Sequence, residues 1–173
     1  MDFLDLVTQV IDLRSFSNLW YWIVLAILWS TLSHWVVGVP FDMVTRARRG
    51  HAQSADDMRK LAEINVNRIL ALSDNGGWIA TAFLAFVLTS LCILGWVYRV
   101  EFCQALFLLA FPMAVVGGMS ISTASRLRRG NYEDLVRILR MHRFSVQLLG
   151  IMFIFITAFW GMWVNLNGSV LGL

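Results

Sequence analysis

The sequence is poor in charged residues. Asp, Glu, Lys and Arg make up 14% of its 173 residues, against about 25% in soluble globular domains. Four long apolar stretches contain none of these side chains: Leu19–Val39, Trp78–Val97, Phe102–Ile121 and Phe144–Val164. A helix of roughly 20 apolar residues crosses a hydrocarbon core about 30 Å thick. The composition therefore excludes a soluble domain and predicts an all-α membrane protein with four transmembrane helices.

The sequence also lacks the motifs of catalysis and of metal binding. Its two cysteines, Cys92 and Cys103, have a spacing that fits no metal or redox motif. It contains no P-loop, no HExxH and no Ser-centred or Cys-His arrangement. The pairs Asp56-Asp57 and Glu133-Asp134 stand where helix N-termini favour negative charge, and that role explains them without catalysis. We therefore expect a protein that is not an enzyme, with no cofactor, no catalytic residue and no metal ligand.

Two histidines, His34 and His142, lie near the same predicted membrane boundary. Such a pair could ligate a haem. Their depths differ by roughly 10 Å at a rise of 1.5 Å per residue, however, which suits one planar macrocycle poorly. A histidine that hydrogen-bonds between helices or lies among lipid headgroups is the favoured interpretation.

The basic residues are concentrated in two connections. Of the 14, twelve lie between the first and second predicted spans or between the third and fourth. Lys and Arg accumulate in cytoplasmic connections of membrane proteins. The pattern predicts that both long connections are cytoplasmic and that both termini are on the opposite side. In a Gram-negative host this is a multi-pass protein of the inner membrane with periplasmic termini.

Residues 1–17 form a separate, acidic N-terminal segment. Within it, Met1–Leu13 mixes apolar residues with three aspartates, so it is too short and too acidic to span. It also lacks the basic start of a cleavable signal peptide. We expect it to lie at the outer interface of the membrane.

The two halves of the chain resemble each other. Thr45-Arg46-Ala47-Arg48-Arg49-Gly50 is followed 80 residues later by Ser125-Arg126-Leu127-Arg128-Arg129-Gly130. Residues 1–173 are interpreted as one integral membrane domain with two parallel repeat halves, 18–98 and 99–173. Each half comprises a span, a cytoplasmic amphipathic helix at the inner surface and a second span. In the first half, Ser73–Gly77 predicts a break between the amphipathic helix and its span, whereas the second helix runs straight into its span.

The arginine clusters are the candidate functional residues. They attract anionic lipid at the membrane surface or dock an acidic partner, such as another membrane subunit or a second copy of the chain. Net charge of +3 and the lack of interleaved aromatic residues argue against nucleic acid. The candidate lipid- or partner-binding residues are Arg46, Arg48, Arg49, Arg126, Arg128, Arg129, Arg137, Arg140 and Arg143.

These features favour a non-catalytic accessory or scaffold protein, which includes the role of a subunit in a larger complex. The alternative is a small transporter or channel subunit, although no Asp, Glu, Lys or Arg lies within a predicted span. Pro112 with Gly117-Gly118 is the one irregularity, and a kink or a close helix contact explains it. A polar passage would support transport if it were lined by Ser30, Thr31, Ser33, Thr89, Ser90 and Gln147.

Three stretches resemble a known family: Ile11–Trp20, Ser33–Pro40 and Asn65–Leu70. The family comprises small alphaproteobacterial, Rhodobacter-like membrane proteins named component of SufBCD complex. The resemblance implies an inner-membrane protein associated with iron–sulfur cluster assembly, but it brings no established activity and no functional residues.

Overall fold

A computed structural model describes residues 15–49 and 52–170 of the chain. The N-terminal interfacial segment predicted for residues 1–17 falls almost entirely outside the described residues, as do Gly50 and His51. A 3₁₀ turn over Ser15–Ser17 leads into the first helix. In chain order the elements are α1 (Leu19–His34), β1 (Trp35–Val36), β2 (Val39–Pro40), α2 (Phe41–Arg48), α3 (Ala52–Cys92), a π-helical turn (Ile93–Val97), α4 (Glu101–Arg129) and α5 (Leu135–Val170).

The predicted all-α class is confirmed, and three helices are long and apolar enough to cross a membrane. They are Gln53–Val97, Glu101–Arg129 and Leu135–Leu166. The first apolar helix, α1, has 16 residues and a length of about 24 Å at 1.5 Å per residue. The predicted first span, Leu19–Val39, is therefore wrong in extent, because the helix ends at His34 and the chain then turns.

A two-residue β-hairpin ends the first apolar stretch. Trp35 pairs with Pro40, and Val36 pairs with Val39. The turn residues Val37 and Gly38 have φ of 52° and 76°, as a tight hairpin turn with two left-handed residues requires. Asn65 of α3 supports the turn because its Nδ2 donates to the Gly38 carbonyl at 3.0 Å.

Helix α3 is one continuous helix of 41 residues, about 60 Å long. The break predicted at Ser73–Gly77 is therefore wrong. Each glycine costs about 1 kcal/mol in a helix relative to alanine. Packing of Val66 and Leu70 before the glycines offsets that cost. The amphipathic segment and its span form one element, so this segment is not a separate helix at the membrane surface.

The structure has two hydrophobic cores. One lies at the end of the molecule where the basic residues gather, which we call the arginine-rich end. There α3 buries one face with a spacing of four residues, this face packs against α2 and α4, and Leu135 and Leu139 of α5 belong to the same cluster. The members are Val36, Val37, Val39, Val44, Met58, Ala62, Val66, Leu70, Ala124, Leu127, Leu135 and Leu139.

The second core lies among the apolar segments of α1, α4 and α5. Helix α1 buries Tyr21, Leu25 and Trp29, again four residues apart, as expected of one helix face. Its close approach to α5 depends on a glycine. A Cβ built on Gly150 would lie 2.8 Å from Cε3 of Trp29. At Gly117 and Gly118 of α4, in contrast, no described atom lies within 4 Å of such a Cβ, so the close helix contact considered for this pair is absent from the described structure.

The connection between the two apolar helices differs between the two halves of the chain. The hairpin and α2 separate α1 from α3, whereas residues 130–134 alone link α4 to α5. In that short link Asn131 and Tyr132 adopt left-handed φ values of 47° and 62°. As predicted, α5 runs from its amphipathic start directly into its apolar segment. The duplication itself stays a prediction.

Candidate functional site

All nine arginines predicted to bind lipid or a partner lie at the arginine-rich end. Arg46, Arg48 and Arg49 stand at the end of α2, and Arg126, Arg128 and Arg129 at the end of α4. Arg137, Arg140 and Arg143 lie on the first turns of α5. Eight are exposed, and Arg143 is half-buried. The shared hydrophobic core joins these three helix ends and thereby gathers the charges.

Few of these charges are neutralised within the described chain. The ion pairs there are Arg46–Asp42, Arg59–Glu63 and Lys60–Asp56, and each joins exposed residues four apart on one helix. Among the nine candidates, only Arg46 has such a partner within residues 15–49 and 52–170. The Arg46 hydrogen bond holds the pKa of the Asp42 carboxyl below its usual range. The remaining guanidinium groups leave a net positive surface, which attracts anions.

Tyr132 lies within this surface, on the link between α4 and α5. Its ring packs against the core of the arginine-rich end. Partial burial raises the pKa of its hydroxyl, and the nearby Glu63 raises it further against the opposing effects of Arg128 and Arg59. The link is thus held by packing, which fixes the ends of α4 and α5 relative to each other.

Arg143 differs from the other eight arginines in its surroundings. Its guanidinium carbon lies 3.6 Å from the centroid of the Phe41 ring, a cation–π arrangement. Its Nε is buried and has no hydrogen-bond partner in residues 15–49 and 52–170. The hairpin creates this contact because it returns the chain from α1 and places Phe41, the first residue of α2, against α5.

A polar cavity of about 470 Å³ adjoins Arg143. It is lined by Ser30, Thr31, Ser33, His34, Trp35 and Arg143. A second cavity of about 440 Å³ shares Ser33 with it and continues between α1 and α5. Apart from Ser33 and Gln147, the lining of the second cavity is apolar: Trp29, Phe144, Leu148, Gly150, Ile151 and Ile154.

The two histidines are not brought together. His34 ends α1, is exposed and lines the polar cavity. His142 is buried and lies with its Nδ1 2.9 Å from the hydroxyl of Thr123 on α4. The predicted hydrogen bond between helices is confirmed for His142. No cluster of three or more His, Cys, Asp or Glu suited to a metal occurs in the described ranges.

The polar residues considered for a transport passage fall into separate places. Ser30, Thr31, Ser33 and Gln147 line the two adjoining cavities of α1 and α5. Thr89 and Ser90 lie on α3 and line neither of them.

A polar contact at the opposite end of the helices escaped sequence analysis. Buried Gln104 of α4 donates from Nε2 to the Gly95 carbonyl at 2.7 Å, and its Oε1 accepts from Trp160 Nε1 at 2.9 Å. It thus joins the π-helical turn after α3 to α5. The available signal was a lone glutamine at the start of an apolar run, since a buried amide needs partners.

No protein-family model matches the chain, and no curated protein or solved structure is similar to it.

Proposed function

We propose that the chain is a non-catalytic accessory or scaffold protein of the bacterial inner membrane. In this proposal α1, α3, α4 and α5 provide four spans in two parallel halves, and both termini are periplasmic. The arginine-rich end faces the cytoplasm, where it contacts anionic headgroups and presents its outer charges to another subunit. The observation that carries the proposal is a packed arginine-rich end, continuous with apolar helices, most of whose charges have no carboxylate partner among the residues that the structure describes.

The short helix α1 is compatible with a span. Its length of about 24 Å is less than a hydrocarbon core of about 30 Å, and a bilayer adapts to such a mismatch by local thinning at modest cost. The 3₁₀ turn before it and the hairpin after it extend the ordered chain at both ends.

The positions of the arginines along α4 support docking beyond the headgroups. Arg126 to Arg129 follow the last residue of the apolar stretch, Ile121, by five to eight residues, which is roughly 8–12 Å of helix. The headgroup layer on each side of the bilayer is about 5–8 Å thick. The last arginines of α4 therefore reach its outer limit, where a protein partner is accessible to them.

Affinity purification of the tagged full chain from native membranes tests this proposal. We expect a stoichiometric protein partner that is lost in Arg128→Gln/Arg129→Gln. The matched control is Arg59→Gln/Lys60→Gln, which removes two charges from the same end that are already paired with carboxylates, and this variant should keep the partner.

Consistent recovery of the chain alone and monomeric would contradict the scaffold role. Ion flux through reconstituted liposomes above that of empty vesicles would favour the alternative, a small transporter or channel subunit.

A further inference from the structure

We propose that the cavity beside Arg143 binds the phosphate group of one anionic phospholipid, whose acyl chain follows the apolar cavity between α1 and α5. The inference rests on the proposed placement of α1 and α5 in the membrane. It goes further by assigning one bound lipid to a defined site, separate from the diffuse attraction of the exposed arginines.

Arg143 supplies the charge that recognises phosphate. Its guanidinium carbon lies 3.6 Å from the centroid of the Phe41 ring, and a planar guanidinium offers its N–H donors in the fork geometry that matches a phosphate. In the described chain it forms none of the ion pairs with carboxylates, and its Nε is buried without a partner. A buried donor left unsatisfied is costly, so a phosphate oxygen that reaches Nε from the adjoining cavity would stabilise the folded chain.

The remaining walls of the cavity suit a headgroup. All six lining residues in the described structure are neutral polar, aromatic or basic. Asp42, a nearby carboxylate, is engaged by Arg46. The hydroxyls of Ser30 and Ser33 provide further donors, and the half-exposed Trp35 is of the type found at headgroup depth.

The two adjoining cavities match a phospholipid, because one is polar like a headgroup and the other is apolar like an acyl chain. The polar cavity lies at the arginine-rich end, and the apolar cavity extends from Ser33 along α5 past Leu148 to Ile154. The short length of α1 contributes, because the helix ends at His34 and leaves this space beside α5. A soluble phosphate would use the first cavity alone, so the adjoining apolar cavity favours a phospholipid.

Native mass spectrometry of the delipidated full chain in detergent tests the site. Dioleoyl phosphatidylglycerol is titrated, and we expect one copy to bind more tightly than the rest. Arg143→Gln should weaken that copy about ten- to hundredfold, the loss typical of charged hydrogen bonds. Arg68→Gln, which removes an exposed arginine of α3 that is not among the nine candidates, should change it by less than about twofold because exposed charges contribute little.

Two further arms keep the proposal testable. Ser33→Leu narrows the junction of the two cavities and leaves residue 143 unchanged. It should also displace the tightly bound copy, so it tests the site even if Arg143→Gln fails to fold. Soluble glycerophosphoglycerol, which has the headgroup but no acyl chain, should not compete at matched concentration.

Equal loss of binding in Arg143→Gln and Arg68→Gln would overturn the site in favour of diffuse attraction. Equal competition by the soluble headgroup would overturn the assignment to a lipid. Neither result affects partner recovery from native membranes, so failure of the site and failure of the scaffold role are distinguishable.

Discussion

Substitution of one glycine tests the packing of α1 on α5, on which the two adjoining cavities depend. In Gly150→Ala the new Cβ would lie 2.8 Å from the Trp29 ring, closer than carbon atoms pack. Overpacking of this kind costs about 1–3 kcal/mol, while alanine gains about 1 kcal/mol of helix propensity over glycine. We expect a net destabilisation of about 1 kcal/mol from these opposing terms.

Gly118→Ala provides the matched control. It makes the same chemical change in an apolar helix where no described atom lies within 4 Å of the new Cβ. Only the propensity gain remains, so stability should rise by up to about 1 kcal/mol. The two variants should therefore differ by about 2 kcal/mol, which is the overpacking cost alone because the propensity gain is common to both.

The free energy of unfolding is measured by titrating SDS into mixed micelles and following far-UV circular dichroism. A smaller side chain at position 29 should relieve the clash, so Trp29→Leu should be less harmful in the Gly150→Ala background than in the wild type. Changes of equal sign and size at positions 150 and 118 would refute the packing of α1 on α5.

Three other predictions follow from single contacts. Gln104→Leu removes two hydrogen bonds between elements and should cost about 1–2 kcal/mol, at roughly 0.6 kcal/mol or more per bond; an unchanged SDS midpoint would contradict this. In Gly38→Ala the new Cβ would lie 2.7 Å from Asn65 Cγ, at a residue with a left-handed φ of 76°. The resulting strain of about 2 kcal/mol should accelerate amide hydrogen exchange in the hairpin by tenfold or more. NMR titration should place the pKa of Asp42 below its ordinary value, and Arg46→Gln should return the pKa to that ordinary value. Because the folded-state pKa is lowered, the stabilisation by this pair is present above the unfolded pKa and is lost as pH falls through the lowered value; an unchanged pKa in Arg46→Gln would contradict the pairing.

Apolar length and periodicity were sufficient to predict the long helices. The uncharged runs identified α4, α5 and the second half of α3, because about 20 consecutive apolar residues by themselves predict a transmembrane helix. The four-residue spacing of Met58, Ala62, Val66 and Leu70 likewise indicates the buried face of α3. The sequence also predicted that the arginines gather at one end, because the two basic connections are separated by two predicted spans and so lie on the same side.

The hairpin was not predictable from these signals. Val36, Val37 and Val39 are apolar, so they extended the predicted first span, although Gly38 and Pro40 are typical of turns. Residues that pack in a hydrophobic core and residues that face lipid have the same composition. Burial in the core holds Val37 in its left-handed conformation, and Asn65 supports the same turn through its hydrogen bond to Gly38. Both are tertiary effects.

The surroundings of Arg143 depend on that hairpin. In the sequence Arg143 is one of six basic residues between the third and fourth predicted spans, with nothing to distinguish it. Its contact with Phe41 joins residues about 100 positions apart through the return of the chain after α1. Such a contact requires the folded arrangement of α1, α2 and α5.

Cysteine accessibility in membrane vesicles tests most directly whether the arginine-rich end is held on the cytoplasmic side by spanning helices. Two single-cysteine chains are made with Cys92 and Cys103 replaced by serine: Arg128→Cys at the arginine-rich end, and Tyr98→Cys at the exposed link between α3 and α4. We expect a membrane-impermeant maleimide to label Arg128→Cys only in inside-out vesicles and Tyr98→Cys only in right-side-out vesicles. Labelling of both positions from the same side would contradict the proposed membrane arrangement.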